Sequence, residues 1–292
     1  MKIAYLIMAN KNPNHLNRLL QSLQSDTVDF FIHIDKKSRD TFFLPKFKNI
    51  KILKNSIPVY WGGFSQVDAA ILLMKEAKLT KKYDYYILLS GSDYPVKSNT
   101  HIHNYLLKNL GKEFINICKM PLNGKTWNRI EYFHFEGSEN KIIACGIQTL
   151  NKMVKLIKRN YPKKYSTLTL YGGSTWWALT DKCIEYILQF IKDNPDFIHF
   201  YKYTLCSDEM FFQTILGNSP FKKNITNALT YTDWESKELP LPAKITKRHI
   251  AILKEEFGKT VYGNGKFPIF FARKFSDESL GVVSEIEKVC RS

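Results

Sequence analysis

Ile3-Ala4-Tyr5-Leu6-Ile7-Met8-Ala9 opens the chain as an unbroken apolar run, and Asn14-His15-Leu16-Asn17-Arg18-Leu19-Leu20-Gln21-Ser22-Leu23 follows it; Asp29 to Ile34 is a second apolar run. An apolar run of strand length with no polar alternation reads as a strand buried on both faces. Leu16, Leu19, Leu20 and Leu23 instead fall on one side of a helix, which Asn12 or Asn14 can cap. Strand, helix and strand in that order form a βαβ unit, and this predicts a parallel sheet.

Working outward, Asp84 to Leu89 supplies a third strand, and Val67, Ala70, Ile71, Met74 and Ala77 place a helix over Ser65 to Leu79. The expectation is an α/β fold: a central, mostly parallel twisted sheet flanked by helices. Ligands of such sheets bind beyond the carboxyl ends of the strands, where Asn10, Asp35 and Ser90-Gly91-Ser92-Asp93 fall. Neither GxGxxG nor GxxxxGK[ST] occurs, so no dinucleotide fingerprint or P-loop is expected. Residues 1–292 read as one domain, with 1–110 a nucleotide-binding half and 111–292 a second half. In the second half Asn123-Gly124 is a hairpin signal and Leu239-Pro240-Leu241-Pro242 a stiff loop. Thr175 to Ala178 and Ile269 to Ala272 read as strands, and Asp181 to Lys192 and Asp208 to Leu216 as helices.

The 43 basic and 27 acidic residues give a net charge of +16, which favours anionic partners. With no RNP-like motif and no basic helix, nucleic acid is not expected; a phosphorylated small molecule and peripheral contact with an anionic membrane are. The first apolar run is too short for a signal peptide or a membrane span, so the expected setting is cytoplasmic, at the inner face of the membrane. The five cysteines form no CxxC pair, and no His, Cys or carboxylate spacing suggests a metal site.

Three segments carry chemical potential. Ser207-Asp208-Glu209 stands at the start of an apolar helix, where a carboxylate can accept a proton from a hydroxyl; helix capping explains the same residue types. Arg273-Lys274 ends a strand with two cations that can meet a diphosphate, or simply face solvent. Tyr60-Trp61-Gly62-Gly63-Phe64-Ser65 joins aromatics to two glycines, either for close approach to a ligand or for a turn.

These segments, with Ile32-His33-Ile34-Asp35-Lys36-Lys37-Ser38, Leu88-Leu89-Ser90-Gly91-Ser92-Asp93-Tyr94-Pro95, Gly173-Ser174-Thr175-Trp176-Trp177-Ala178-Leu179-Thr180 and Phe271-Ala272-Arg273-Lys274-Phe275, are colinear with one family. Together they resemble the core-2/I-branching β-1,6-N-acetylglucosaminyltransferases and the peptide O-xylosyltransferases, glycosyltransferase family 14. The resemblance implies a GT-A-like fold and an inverting, metal-independent transfer from a UDP-sugar, N-acetylglucosamine first; a glycan or lipid-linked glycan hydroxyl is the expected acceptor. No cofactor is implied. It makes Glu209 the general base and sets Arg273 and Lys274 on the donor diphosphate. Asp35 approaches the uracil with Met8 beside it, and Trp61, Ser65 and Asp93 join the donor set. Trp127, Arg129 and Trp177 are the acceptor candidates; Lys119 to Glu136 carries no family motif, and Trp127 and Arg129 are equally readable as structural. Animal members carry a membrane anchor, a stem and paired cysteines, so a bacterial-type member is the better fit. UDP-xylose, UDP-glucose or UDP-galactose as donor, or a non-catalytic sugar-binding protein of the same fold, are the alternatives. Thr175 stands where xylosyltransferases tend to have an acid, which disfavours a peptide acceptor.

Overall fold

The computed structural model describes residues 1–121, 125–236, 241–259 and 266–291. The opening unit forms as its pattern dictates. Strand β1 (Ile3–Ala9) runs into helix α1 (Pro13–Leu23), and the chain returns as β2 (Val28–Ile34), parallel to β1 with Ile3 opposite Val28. β1 is apolar throughout because both its faces are covered. Ile3, Tyr5 and Ile7 enter one core, and Ala4 and Leu6 enter the other.

After β3 (Ile50–Ile52) come α2 (Ser65–Thr80), β4 (Tyr85–Ser90), the short β5 (Asp93–Pro95), α3 (Asn99–Lys108) and β6 (Glu113–Ile115). The middle holds β7 (Cys118–Lys119), α4 (Asn128–Glu131), α5 (Lys141–Met153) and β8 (Tyr171–Gly172), β7 and β8 forming a small antiparallel pair. Then follow β9 (Trp177–Thr180), α6 (Asp181–Asp193), α7 (Pro195–Tyr201), α8 (Phe211–Gly217), β10 (Ile225–Thr226) and β11 (Thr230–Thr232). The described chain ends with α9 (Ile250–Lys254), the hairpin strands β12 (Phe257–Lys259) and β13 (Lys266–Pro268), β14 (Phe271–Arg273) and α10 (Leu280–Cys290).

The main sheet has the order β10-β6-β9-β4-β1-β2-β3. It is parallel except where β9 runs against β4 and β6, so the mixed α/β architecture matches the expectation. Helices α2, α6, α7 and α8 pack one face, and α1, α3, α9 and α10 the other. A second sheet, β11-β14-β5, sits beyond the carboxyl end of β4, and its register sets Arg273 directly opposite Asp93.

Several local expectations are corrected. Asn12 occupies the start of α1 with a left-handed backbone (φ 62) and no side-chain cap. The cap comes from Asp277, whose Oδ1 accepts the His15 N–H at 2.6 Å. The helix expected from Asp208 begins only at Phe211, because Ser207–Glu209 forms a separate 3₁₀ turn and Met210 breaks the path. The strand expected at Thr175 to Ala178 lies at Trp177–Thr180, and that expected at Ile269 to Ala272 lies at Phe271–Arg273. Asn123-Gly124 and Leu239-Pro240 lie outside the described residues.

Candidate active site

Glu209 is aimed into a cleft by the way its turn is pinned. Cys206 adopts a left-handed backbone (φ 52), and its N–H donates to the Gly62 carbonyl at 2.7 Å. Gly62 is itself at φ 74, a conformation a side chain would strain, so glycine here lets the Tyr60–Ser65 turn touch the Glu209 turn. On the other side the Gly173 N–H donates to the Glu209 carbonyl at 2.9 Å. A Cβ on Gly173 would fall 1.7 Å from the Asn116 oxygen, so only glycine fits. Thr175 Oγ1 donates to Asp208 Oδ2 at 2.6 Å, so Asp208 braces the turn instead of capping a helix. Burial and then the neighbouring Glu209 charge push the Asp208 carboxyl up to about 6.

The Glu209 carboxylate is held through one oxygen. Oε2 accepts from Arg129 Nη1 at 2.6 Å and from Lys125 Nζ, while Oε1 accepts no hydrogen bond among the described residues. Lys125 is almost wholly buried, so its ammonium is tied to this carboxylate in a place water scarcely reaches. Two cations on Oε2 fix the orientation of the group, and Glu209 lines the cleft.

Across the cleft stands Arg273, the last residue of β14. Its Nε lies 3.5 Å from Asp93 Oδ1, and its guanidinium lies over the Trp176 ring at 4.2 Å, a cation–π distance. Asp93 is fully buried and its Oδ2 accepts the Ser90 N–H at 2.9 Å. Burial lifts its carboxyl to about 6, against the pull of Arg273. Burial lowers the Arg273 pKa, and burial together with Arg273 and Lys11 lowers that of Lys274. Lys274 has no carboxylate within ion-pair distance among the described residues. This wall therefore holds more positive charge than its carboxylate answers, the condition that favours an incoming anion.

The cleft, about 210 Å³, brings Glu209, Arg273, Lys274 and the 83% exposed Trp61 together with Thr175, Trp176 and Trp234. Arg129 stands behind Glu209. Met8 and Asp35 lie at the ends of β1 and β2 and do not line this cleft. Asp35 accepts from the Lys37 N–H (2.9 Å), the Val59 N–H (3.2 Å) and Lys37 Nζ (2.7 Å). Ser65 is turned inward, with its Oγ accepting the Tyr60 N–H at 2.8 Å. Trp127 is half-exposed at the start of α4 and does not line the cleft.

Two expected contacts stand behind the wall. Trp177 packs in the core against Phe212, while Trp176, just ahead of β9, lines the cleft. Asp93 meets Arg273 and the β4 turn, not the cleft. Lys125, Thr175, Trp176 and Asp208 were absent from the expected set. The basic pair Lys125 and Arg129, four residues apart and flanking Trp127, is the sequence signal that points to a shared anionic partner. Among the described residues no three His, Cys, Asp or Glu side chains gather as a metal-ligand set.

Comparison with known proteins gives this geometry a family context. The profile described as Core-2/I-Branching enzyme matches residues 3–261. Xylosyltransferase 2 of Rattus norvegicus is 28% identical over 307 aligned positions, covering 98% of this chain and 33% of the relative. Xylosyltransferase 2 of Homo sapiens is 27% identical with the same coverage, and xylosyltransferase 1 of Canis lupus familiaris is 25% identical over 94% of this chain and 29% of its own length. The chain thus spans about a third of the length of the curated relatives it matches.

Proposed function

Since the chain belongs to the core-2/I-branching enzyme family, we propose that it is an inverting glycosyltransferase that moves a sugar from a UDP-sugar to a glycan hydroxyl, without a metal. The observation that carries this reading is the meeting of Glu209 with Arg273 and Lys274 across one cleft. In the proposed step the acceptor oxygen attacks the anomeric carbon while its proton passes to Glu209 Oε1. The bond from that carbon to the diphosphate oxygen breaks on the opposite face. Arg273 and Lys274 offset the negative charge that grows on the departing UDP, and one displacement inverts the centre. Trp176 and Asp93 position the Arg273 guanidinium, and Lys125 and Arg129 position the base.

The uracil is proposed to lie past the ends of β1 and β2, beside Met8 and Asp35. With three hydrogen bonds already on the Asp35 carboxylate and roughly four acceptor directions available, one remains for a uracil N–H. Trp61 at the rim suits stacking on a sugar face. N-acetylglucosamine is the proposed sugar, with a glycan, free or lipid-linked, as acceptor. A second reading, xylose, is favoured by the names of the relatives.

The test is UDP release and calorimetric binding with a panel of UDP-sugars, each with and without EDTA. One sugar should bind and turn over with EDTA present. Dependence on Mn²⁺ would refute the metal-free scheme, and absence of binding to every UDP-sugar would refute the proposed donor class.

A further inference from the structure

Helix α5 and the turn after it present large apolar side chains to solvent. Ala144, Ile147, Asn151 and Val154 face the protein, yet Ile142 (84% exposed), Leu150, Met153 and Leu156 (89% exposed) face outward, and no residue of α5 is buried. A surface helix ordinarily turns its polar residues to water, so this face is unpartnered. The same stretch of chain carries the exposed Lys141, Lys152, Lys155, Lys158, Lys163 and Lys164, of which Lys158 pairs with Glu131 and Lys164 with Asp196 at 3.5 Å each, and no Asp or Glu occurs between Glu139 and Asp181.

We infer that this face docks on an anionic lipid bilayer, its apolar residues entering the headgroup boundary and its lysines meeting lipid phosphates. The charge chooses the occupant. A second copy would bring the same lysines and a +16 chain against this one, whereas an anionic lipid surface complements them. Among the described residues no helix is long and apolar enough to cross a membrane, so the contact is with the surface. The docked face also adjoins the base. Tyr132 bridges to Lys158, and the Arg159 N–H donates to the Glu131 carbonyl at 2.7 Å, on the same short α4 whose Arg129 holds Glu209. Docking through α5 therefore brings the Glu209 side of the cleft close to the lipid surface.

Sedimentation of the full chain with phosphatidylcholine vesicles, with and without phosphatidylglycerol, tests this. The anionic vesicles should bind it roughly tenfold more tightly than neutral ones. Ile142→Ser with Leu156→Ser, and separately Lys152→Glu with Lys155→Glu, should each weaken anionic-vesicle binding about tenfold or more, with circular dichroism and UDP binding unchanged. Three results would overturn it: wild-type protein left in the supernatant with anionic vesicles, equal binding to both kinds of vesicle, or a folded Ile142→Ser, Leu156→Ser variant that sediments like wild type. A wild-type dimer that this variant converts to monomer would assign the face to a second copy instead.

Discussion

The two walls of the cleft are built from the same kinds of side chain in different proportions. Around Glu209 the charges balance, with Asp208 and Glu209 set against Lys125 and Arg129, and the cations sit at hydrogen-bonding distance. Around Arg273 they do not: among the described residues Asp93, 3.5 Å from Arg273, is the one carboxylate at ion-pair distance of either cation, with Asp208 acting on Arg273 from farther off. A balanced cluster fixes the direction of a group that has to take up a proton. A surplus of buried positive charge waits for an anion to complete it. In the proposed reaction the difference gives proton transfer to one wall and leaving-group binding to the other, and each role can be broken separately.

The largest expected effect is at the balanced wall. Glu209→Gln keeps the shape and removes the base, so transfer should fall by about 10²- to 10⁴-fold in a UDP-release assay. At the other wall Arg273→Ala should lower transfer by about 10²- to 10³-fold and weaken UDP binding in the same titration, with Lys274→Ala acting in the same direction but less. Loss of transfer without loss of UDP affinity in Arg273→Ala would erase the distinction between the walls. Lys125→Met should sharpen it: kcat drops about tenfold while UDP affinity holds, because only the aim of the base is disturbed.

How far this could be read from the sequence follows from the same contrast. β1 falls on Ile3–Ala9 as expected, and β2 and β4 begin and end within one residue of their apolar runs, because strands covered on both faces leave an unbroken local signal. The ends of those strands led to Asp35 and Asp93. What was hidden is set by tertiary contact: Asp277 capping α1 from the far end of the chain, Lys125 folded back onto Glu209, and Asp93 turned inward beneath Arg273. Trp176 and Trp177 could not be told apart because they are adjacent, largely buried aromatics in one apolar run, and only the tertiary fold sets the first, ahead of β9, on the cleft. The stretch around α5 was unreadable for another reason. Apolar residues lie on both of its sides, Ala144, Ile147 and Val154 toward the protein and Ile142, Leu150 and Met153 outward, so the pattern does not mark which face is covered.

Smaller effects separate chemistry from packing. Trp177→Ala should cost about 3–5 kcal/mol in denaturant unfolding, as a large core side chain does, whereas Trp176→Ala should leave the fold nearer wild type and weaken UDP binding through Arg273. The smallest expected signal is in pH. The folded pKa of Asp208 is raised from the ordinary 3.8 to about 6, so the folded chain holds that proton more tightly than the unfolded chain. The associated stability is full below the ordinary value and is lost as pH rises through about 6. Asp208→Asn should shrink the fall in stability between those limits by on the order of 2 kcal/mol, measured as the wild-type-minus-variant difference in denaturant titrations.

The most direct measurement pairs the two walls in one protein: UDP affinity by calorimetry and single-turnover transfer, both on Glu209→Gln. A wild-type UDP affinity with transfer all but abolished is the predicted result. Transfer at the wild-type rate would contradict the assignment of Glu209 as the base, and loss of UDP affinity would show that the two walls do not divide the work.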